Sequence, residues 1–333
     1  MPVQGEIVNI GDSPSVLIIK PSSLGDIIHS LPFLSSLKKR YPSASVHWAV
    51  FKGLEGILEG HPLIDRLIVI DKQRLKNPLT LISTALSLRS ELKGNAYDIA
   101  VDLQGLFRSG LIAALSSAPV STGFTDAREG SPLFYTHAIR GGREIHAVDR
   151  YLKLAGMLDC DISKVEFPMV HDECPPPFEG DYAVLVPGAR WATKRWSEES
   201  FGSLASMLPV RSVVVGGRED IPMGETIASL SSGKCVNMAG KTSLRELSGL
   251  IRNAQYTVTN DTGPMHIAAA HNVPVYAIFG PTDPLRTGPY GSIHTIIRPD
   301  IPCAPCFRRK CDDLRCMAAI EPEKVFKAIS SDH

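Results

Sequence analysis

The sequence predicts an α/β protein built from two doubly wound, Rossmann-like domains whose parallel sheets face each other across a cleft. Three observations carry this expectation. Short β-branched runs alternate with stretches whose apolar residues recur at helical spacing, and the alternation starts afresh near residue 181. The strands lack polar alternation, as strands covered on both faces do, and that is the condition of a parallel sheet flanked by helices. Residues 160–180 break the rhythm with Pro168, Pro175, Pro176, Pro177 and several acidic side chains, the composition of a linker.

Taken in order, residues 16–19 (VLII) read as the first buried strand. Ile27, Ile28, Leu31, Leu34 and Leu37 then mark one face of a helix, and Pro32 inside it predicts a kink or an irregular turn. Ser45–Phe51 and residues 98–103 (DIAVDL) are further strands. In the second half, Tyr182–Val186 is a strand ending in Pro187-Gly188, and 212–217 (SVVVGG) is another. Residues 222–230 and 243–253 are helices, Tyr256–Asn260 a strand, 264–271 a helix and 275–279 a strand. The expected boundaries are 1–165 for the first domain, 166–180 for the linker, 181–320 for the second domain and 321–333 for a closing helix.

Composition narrows the function. A chain of 333 residues can bury two cores of ordinary size. It is 44% hydrophobic and 21% charged with a formal net charge of zero, so no global field draws it to nucleic acid or to an anionic membrane. Residues 1–10 lack the basic segment and apolar core of a secretory signal. The most apolar windows, such as 79–88, are interrupted by Ser and Thr and are too short to span a bilayer. The expectation is a cytoplasmic protein, monomeric, that touches a membrane at most at its surface. Seven cysteines in that compartment are reduced thiols or metal ligands.

Ligands of doubly wound folds sit at the carboxyl ends of strands, and three segments there carry candidate chemistry. The first is Lys20-Pro21-Ser22-Ser23-Leu24-Gly25-Asp26. Gly25 allows close backbone approach, and Asp26 projects from the first helical turn, where it can take a proton from an attacking hydroxyl or simply cap the helix. The second, 187–196 (PGARWATKRW), places three cations and two indoles in one loop. Lys194 or Arg195 could neutralise a departing diphosphate, or the loop could be merely solvated. The third, 260–270 (NDTGPMHIAAA), is a strand-turn-helix whose Thr262 and Gly263 N–H groups face an anion at a helix start. Asp261 reads there as a grip on sugar hydroxyls. Glu219 and Asp220 stand where such folds hold ribose hydroxyls, and 280–284 (GPTDP) rims the same site.

Together these stretches resemble the heptosyltransferases of lipopolysaccharide core synthesis, glycosyltransferase family nine, of the GT-B fold. The matching segments, in family order, are KPSSLGDIIHSLP (20–32), DLQGLFRSG (102–110), DAREG (126–130), HAVDRY (146–151), KRWSEESF (194–201), NDTGPMHIAAA (260–270) and FGPTDP (279–284). The resemblance implies inverting, metal-independent transfer from ADP-heptose to the Kdo/heptose inner core, a lipid-linked acceptor. It implies Asp26 as catalytic base, and Lys194, Asp220, Asp261, Thr262 and Gly263 on the donor. It places Ser23, Gly25 and Arg128 on the acceptor, and a last helix that crosses back to the first domain. The opening motif looks like the enzyme adding the first heptose, the cysteine-bearing C-terminus like the one adding the second.

Cys303, Cys306, Cys311 and Cys316 form the most metal-like pattern, yet their spacing matches no common zinc motif closely. The reading is no cofactor and no catalytic metal. Arg308-Arg309-Lys310 reads as a solvated run. Alternatives left open by the residues are a transferase with another nucleotide sugar or acceptor, a non-hydrolysing sugar-nucleotide epimerase, and a cysteine-cluster binding module.

Overall fold

The computed structural model describes residues 3–332, so residues 1, 2 and 333 lie outside it. The chain divides into two compact units, one ending at Val170 and the other beginning at His171. The division falls in the proline-bearing stretch between Met157 and Tyr182, which holds no helix or strand.

The first unit contains β1 (Val3–Gln4), β2 (Ser15–Ile19), β3 (Ser45–Phe51), β4 (Arg66–Ile70), β5 (Ile99–Asp102), β6 (Val120–Phe124) and β7 (His137–Ile139). They form one sheet in the order β1-β7-β6-β5-β2-β3-β4, parallel throughout. Val16, Leu17, Ile18 and Ile19 of β2 are all 0% exposed, because helices cover both faces of this central strand. One face packs Leu17, Ile19, Phe51, Ile68 and Ile70 against Leu88, Leu92 and Ile112. Each such side chain contributes roughly 1.5–3 kcal/mol of burial. The expected break at Pro32 is present: a helix Leu24–His29 stops at Ser30, and a second, Leu31–Arg40, begins with Pro32 in its first turn. There the missing N–H of proline has no helical partner to lose.

The second unit contains β8 (Tyr182–Val186), β9 (Arg211–Val214), β10 (Cys235–Asn237), β11 (Tyr256–Asn260), β12 (Val275–Ile278) and β13 (Thr295–Ile297). Its parallel order is β10-β9-β8-β11-β12-β13. Ala183, Leu185, Val258 and Ile278 pack with Trp196, Phe201 and Leu204 in its core. The closing helix Pro322–Asp332, expected to cross back to the first domain, sets Val325 and Ile329 into this same core.

Both sheets share one plan. The first strand of each winding lies at the centre, two strands follow on one side, and the fourth returns to the other side. The order therefore reverses between β2 and β5 in the first unit and between β8 and β11 in the second. Loops diverge at such reversals and leave a crevice at the strands' carboxyl ends, where ligands of doubly wound folds bind. The α/β architecture of two parallel sheets is the one the sequence predicts.

Candidate functional site

In the first unit the crevice between β2 and β5 holds Asp26. Ser23 donates to Asp26 Oδ2 from its backbone N–H (3.0 Å) and its hydroxyl (2.8 Å), closing a capping box. The capping role and an outward carboxylate thus coexist: the Asp26 side chain is 33% exposed. Its other oxygen faces a buried group. Lys20 Nζ lies 3.7 Å from Asp26 Oδ1, and the Tyr151 hydroxyl donates to that same oxygen at 3.3 Å. Lys20 also donates to the Tyr151 hydroxyl (2.6 Å) and, across the strand reversal, to the Leu103 carbonyl (3.1 Å). Burial lowers the pKa of Lys20 below its ordinary value, while Asp26 and Asp102 oppose that effect.

Asp102, at the end of β5, is wholly buried and serves as the hub of the next loop. It accepts from the Tyr135 hydroxyl (2.7 Å), the Ser109 hydroxyl (2.7 Å) and the N–H groups of Gln104 (2.8 Å) and Gly105 (3.0 Å). Burial pushes its carboxyl up despite those donors. The loop is thereby fixed beside Pro21 and Ser22, and a hollow of about 120 Å³ opens between them, lined among others by Lys72, Gln104, Arg108 and Glu129. Two cations and an amide in a concave site suit an anionic, hydroxyl-rich ligand.

The other residues expected near an acceptor are placed unequally. Ser23 is engaged with Asp26, and Gly25 is buried in the helix's first turn. Arg128 is exposed on a loop whose backbone N–H donates to Gly105. That loop is tied down by Asp126, which takes two hydrogen bonds from Arg150 (2.7 and 2.9 Å). Burial alone would raise Asp126, but the guanidinium outweighs it and holds the carboxyl at about 2. His29 is buried, its ring 5.0 Å from that of His146.

In the second unit the crevice between β8 and β11 brings together residues 67 apart. Lys194 Nζ meets Asp261 Oδ2 at 2.5 Å, and the Thr282 hydroxyl donates to the same oxygen at 2.7 Å. Asn260 locks the reversal: its amide donates to the Pro187 carbonyl (2.7 Å) and accepts the Trp196 N–H (3.1 Å). Thr262 is the N-cap of the helix Gly263–Ala270 and bonds no backbone N–H there, so the orphan donors of the first turn point to the strand ends. Of the remaining loop cations, Arg195 donates to the Ala189 carbonyl, while Arg190 is exposed. The two indoles differ. Trp196 is core, whereas half-buried Trp191 has Lys194 (4.6 Å to the ring centre) and Arg309 (4.8 Å) against its ring.

Asp220 lies inward, 8% exposed, accepting the Gly217 N–H at 2.9 Å. A Cβ on Gly188 or Gly216 would come within 2.5 or 2.6 Å of its carboxylate, so both glycines are needed for the close approach of the β8 and β9 ends. Neighbouring Glu219 is exposed.

Cys303 and Cys306 are exposed, Cys311 is half-buried and Cys316 buried, all as free thiols. Among the described residues no group of three or more His, Cys, Asp or Glu is arranged to hold a metal ion. Their loop is anchored to the site: Cys306 and Phe307 donate to the Pro281 carbonyl, and Thr193 donates to that of Arg308.

Sequence reasoning missed Lys20, Tyr151, Lys72, Gln104 and Arg108 as site residues. Lys20 carried a signal, an ammonium directly after a fully apolar strand, and Gln104, Arg108 and Tyr151 stood inside the matching segments 102–110 and 146–151 without being given a role; Lys72 shares the site only through folding.

Glycosyltransferase family 9 (heptosyltransferase) matches the chain over residues 85–316. Lipopolysaccharide heptosyltransferase 1 of Pseudomonas aeruginosa is 31% identical over 89% of this chain and 87% of its own length. Lipooligosaccharide heptosyltransferase 2 of Haemophilus influenzae is 30% identical over 85% and 88%. The solved Escherichia coli heptosyltransferase WaaC with ADP-2-deoxy-2-fluoro heptose superposes with a TM-score of 0.80, at 23% identity, over 96% of this chain and all of that one, a likeness of fold.

Proposed function

The chain belongs to glycosyltransferase family 9, and on that footing we propose that it moves a heptose from ADP-heptose to the Kdo/heptose inner core of lipopolysaccharide. The first unit takes the acceptor and the second the donor. An acceptor hydroxyl gives its proton to the Asp26 carboxylate while its oxygen attacks the anomeric carbon. The carbon–oxygen bond to the diphosphate breaks on the opposite face, so configuration inverts and ADP departs with the bonding pair. Lys194 and the N–H groups at Thr262 and Gly263 meet the charge that develops on the diphosphate, with no metal required. Asp261 and Asp220 hold sugar and ribose hydroxyls, and Arg128 with the Lys72–Arg108 hollow receives the acceptor's anionic groups. The enzyme works as a cytoplasmic monomer at the inner membrane surface, since its acceptor is lipid-linked.

The observation that carries this reading is the half-exposed Asp26 carboxylate, fixed by Ser23 on one oxygen and facing buried Lys20 with the other. Asp26→Ala should leave ADP binding intact while lowering turnover by about 10²–10⁴-fold. The assay pairs ADP-heptose with acceptors bearing no heptose or one, which also tells the first addition from the second. Turnover retained in the variant contradicts the base assignment. Consumption of the nucleotide sugar without any acceptor would favour an epimerase.

A further inference from the structure

Among its described side chains, the helix Pro78–Lys93 presents two opposite apolar faces, of which one is buried in the fold. Leu88 and Leu92 are buried in the first unit's core. On the other side Leu79, Ile82 and Leu86 are 91%, 72% and 62% exposed. Their spacing of three and four places them in one stripe, about 10 Å long at 1.5 Å per residue. Exposed apolar side chains scattered singly need no explanation, but a contiguous stripe does.

The stripe has a charged frame. Arg89 and Lys93, both exposed, stand seven residues after Ile82 and Leu86 and so continue the same face. Lys72 and Arg74 lie just before the helix. Residues 72–93 carry five cations and one carboxylate in a chain of zero net charge, and that carboxylate, Glu91, is paired with Arg66 at 3.0 Å. The helix Lys72–Lys76 packs against Pro78–Lys93, and Lys72 also lines the hollow beside Ser22.

We propose that the Leu79–Ile82–Leu86 face of this helix, framed by Lys72, Arg74, Arg89 and Lys93, docks the protein in the plane of an anionic phospholipid bilayer. An apolar stripe with flanking cations is the pattern of a helix that lies in a membrane interface. The partner is a bilayer rather than a second copy for two reasons. Three side chains fall far short of the roughly 800 Å² per partner of a stable interface. A two-fold contact through the stripe would also bring the cations of the two copies together. No described helix is long and apolar enough to cross a membrane. The proposal rests on the functional reading above, in which the acceptor is lipid-linked: a docked helix brings the Lys72 side of the hollow to the bilayer.

The test compares the full chain with a Leu79→Ser/Ile82→Ser/Leu86→Ser variant and an Arg89→Glu/Lys93→Glu variant. Each is sedimented with phosphatidylcholine vesicles with or without phosphatidylglycerol, and each is assayed on a soluble, deacylated acceptor. The parent should bind the anionic vesicles more tightly than the neutral ones and less tightly as salt rises. Each variant should lose about tenfold or more in vesicle affinity, the scale set by removing two cations or three inserted side chains. Turnover of the deacylated acceptor should remain at the parent's level. Variants that bind vesicles like the parent overturn the proposal, as does a parent that ignores anionic vesicles. A parent that is dimeric through this face, with a monomeric triple variant, overturns it in favour of self-association. Vesicle binding as described with no turnover of the deacylated acceptor supports docking and counts against the functional reading alone.

Discussion

Replacing Lys20 by Met should change the pH at which turnover begins. Met keeps the volume of the stem in a site where Lys20 is 1% exposed, so the substitution removes charge more than packing. Lys20 Nζ stands 3.7 Å from Asp26 Oδ1. Two unit charges near that separation attract by about 4 kcal/mol at an effective dielectric of about 20. The Asp26 side chain is 33% exposed, so water screens much of this, and about 1–2 kcal/mol is the appropriate scale. Asp26 accepts a proton only when ionised, and loss of the neighbouring ammonium disfavours the ionised form. The acidic limb of kcat/KM therefore moves upward, with turnover lowest in acid and recovered in base. Tyr151 and the Leu103 carbonyl each lose a donor, so the melting temperature falls as well. The assay is kcat/KM against pH for parent and variant, with ADP calorimetry as a control on the second unit. An acidic limb left where the parent has it would refute the pairing of Lys20 with the base.

Three further outcomes follow from the second unit. Lys194→Ala removes the cation 2.5 Å from Asp261 and should lower kcat by about 10²–10³-fold together with ADP affinity, as read by kinetics and calorimetry; unchanged ADP binding would argue against a diphosphate role. Gly188→Ala sets a Cβ 2.5 Å from the Asp220 carboxylate and should cost about 1–3 kcal/mol, so a variant that melts with the parent contradicts the close approach. His271, which shares a 2.8 Å hydrogen bond with Ser248, is held at about 4 by burial, with His171 and Arg252 adding to the effect. Its unfolded value is near 6.5, so between about 6.5 and 4 the unfolded chain binds a proton that the folded chain refuses. Stability then falls with pH by up to about 3 kcal/mol. His271→Gln should flatten that slope in denaturant titrations, and an unchanged slope would locate the acid sensitivity elsewhere.

The central strands were readable from residue pattern because burial on both faces forces continuous apolar runs, as in VLII of β2, YAVLV of β8 and VYAI of β12. The break at Pro32 was equally legible, since the lack of a proline N–H is a local fact. Short edge strands such as β1 (VQ) and β10 (CVN) were not, because edge positions need neither length nor hydrophobicity.

Of the site, the pattern located Asp26, Lys194 and Asp261 at strand ends but could not pair them. Lys194 reaches Asp261, and Lys20 reaches Leu103, only because the strand order reverses between β8 and β11 and between β2 and β5. Asp220 shows the limit from the other side: its residue type marked it, while its inward carboxylate follows from two glycines that let strand ends close over it. Local chemistry is written along the chain, since propensity and capping act over a few residues. Partnership is not, since it depends on which distant strands lie side by side.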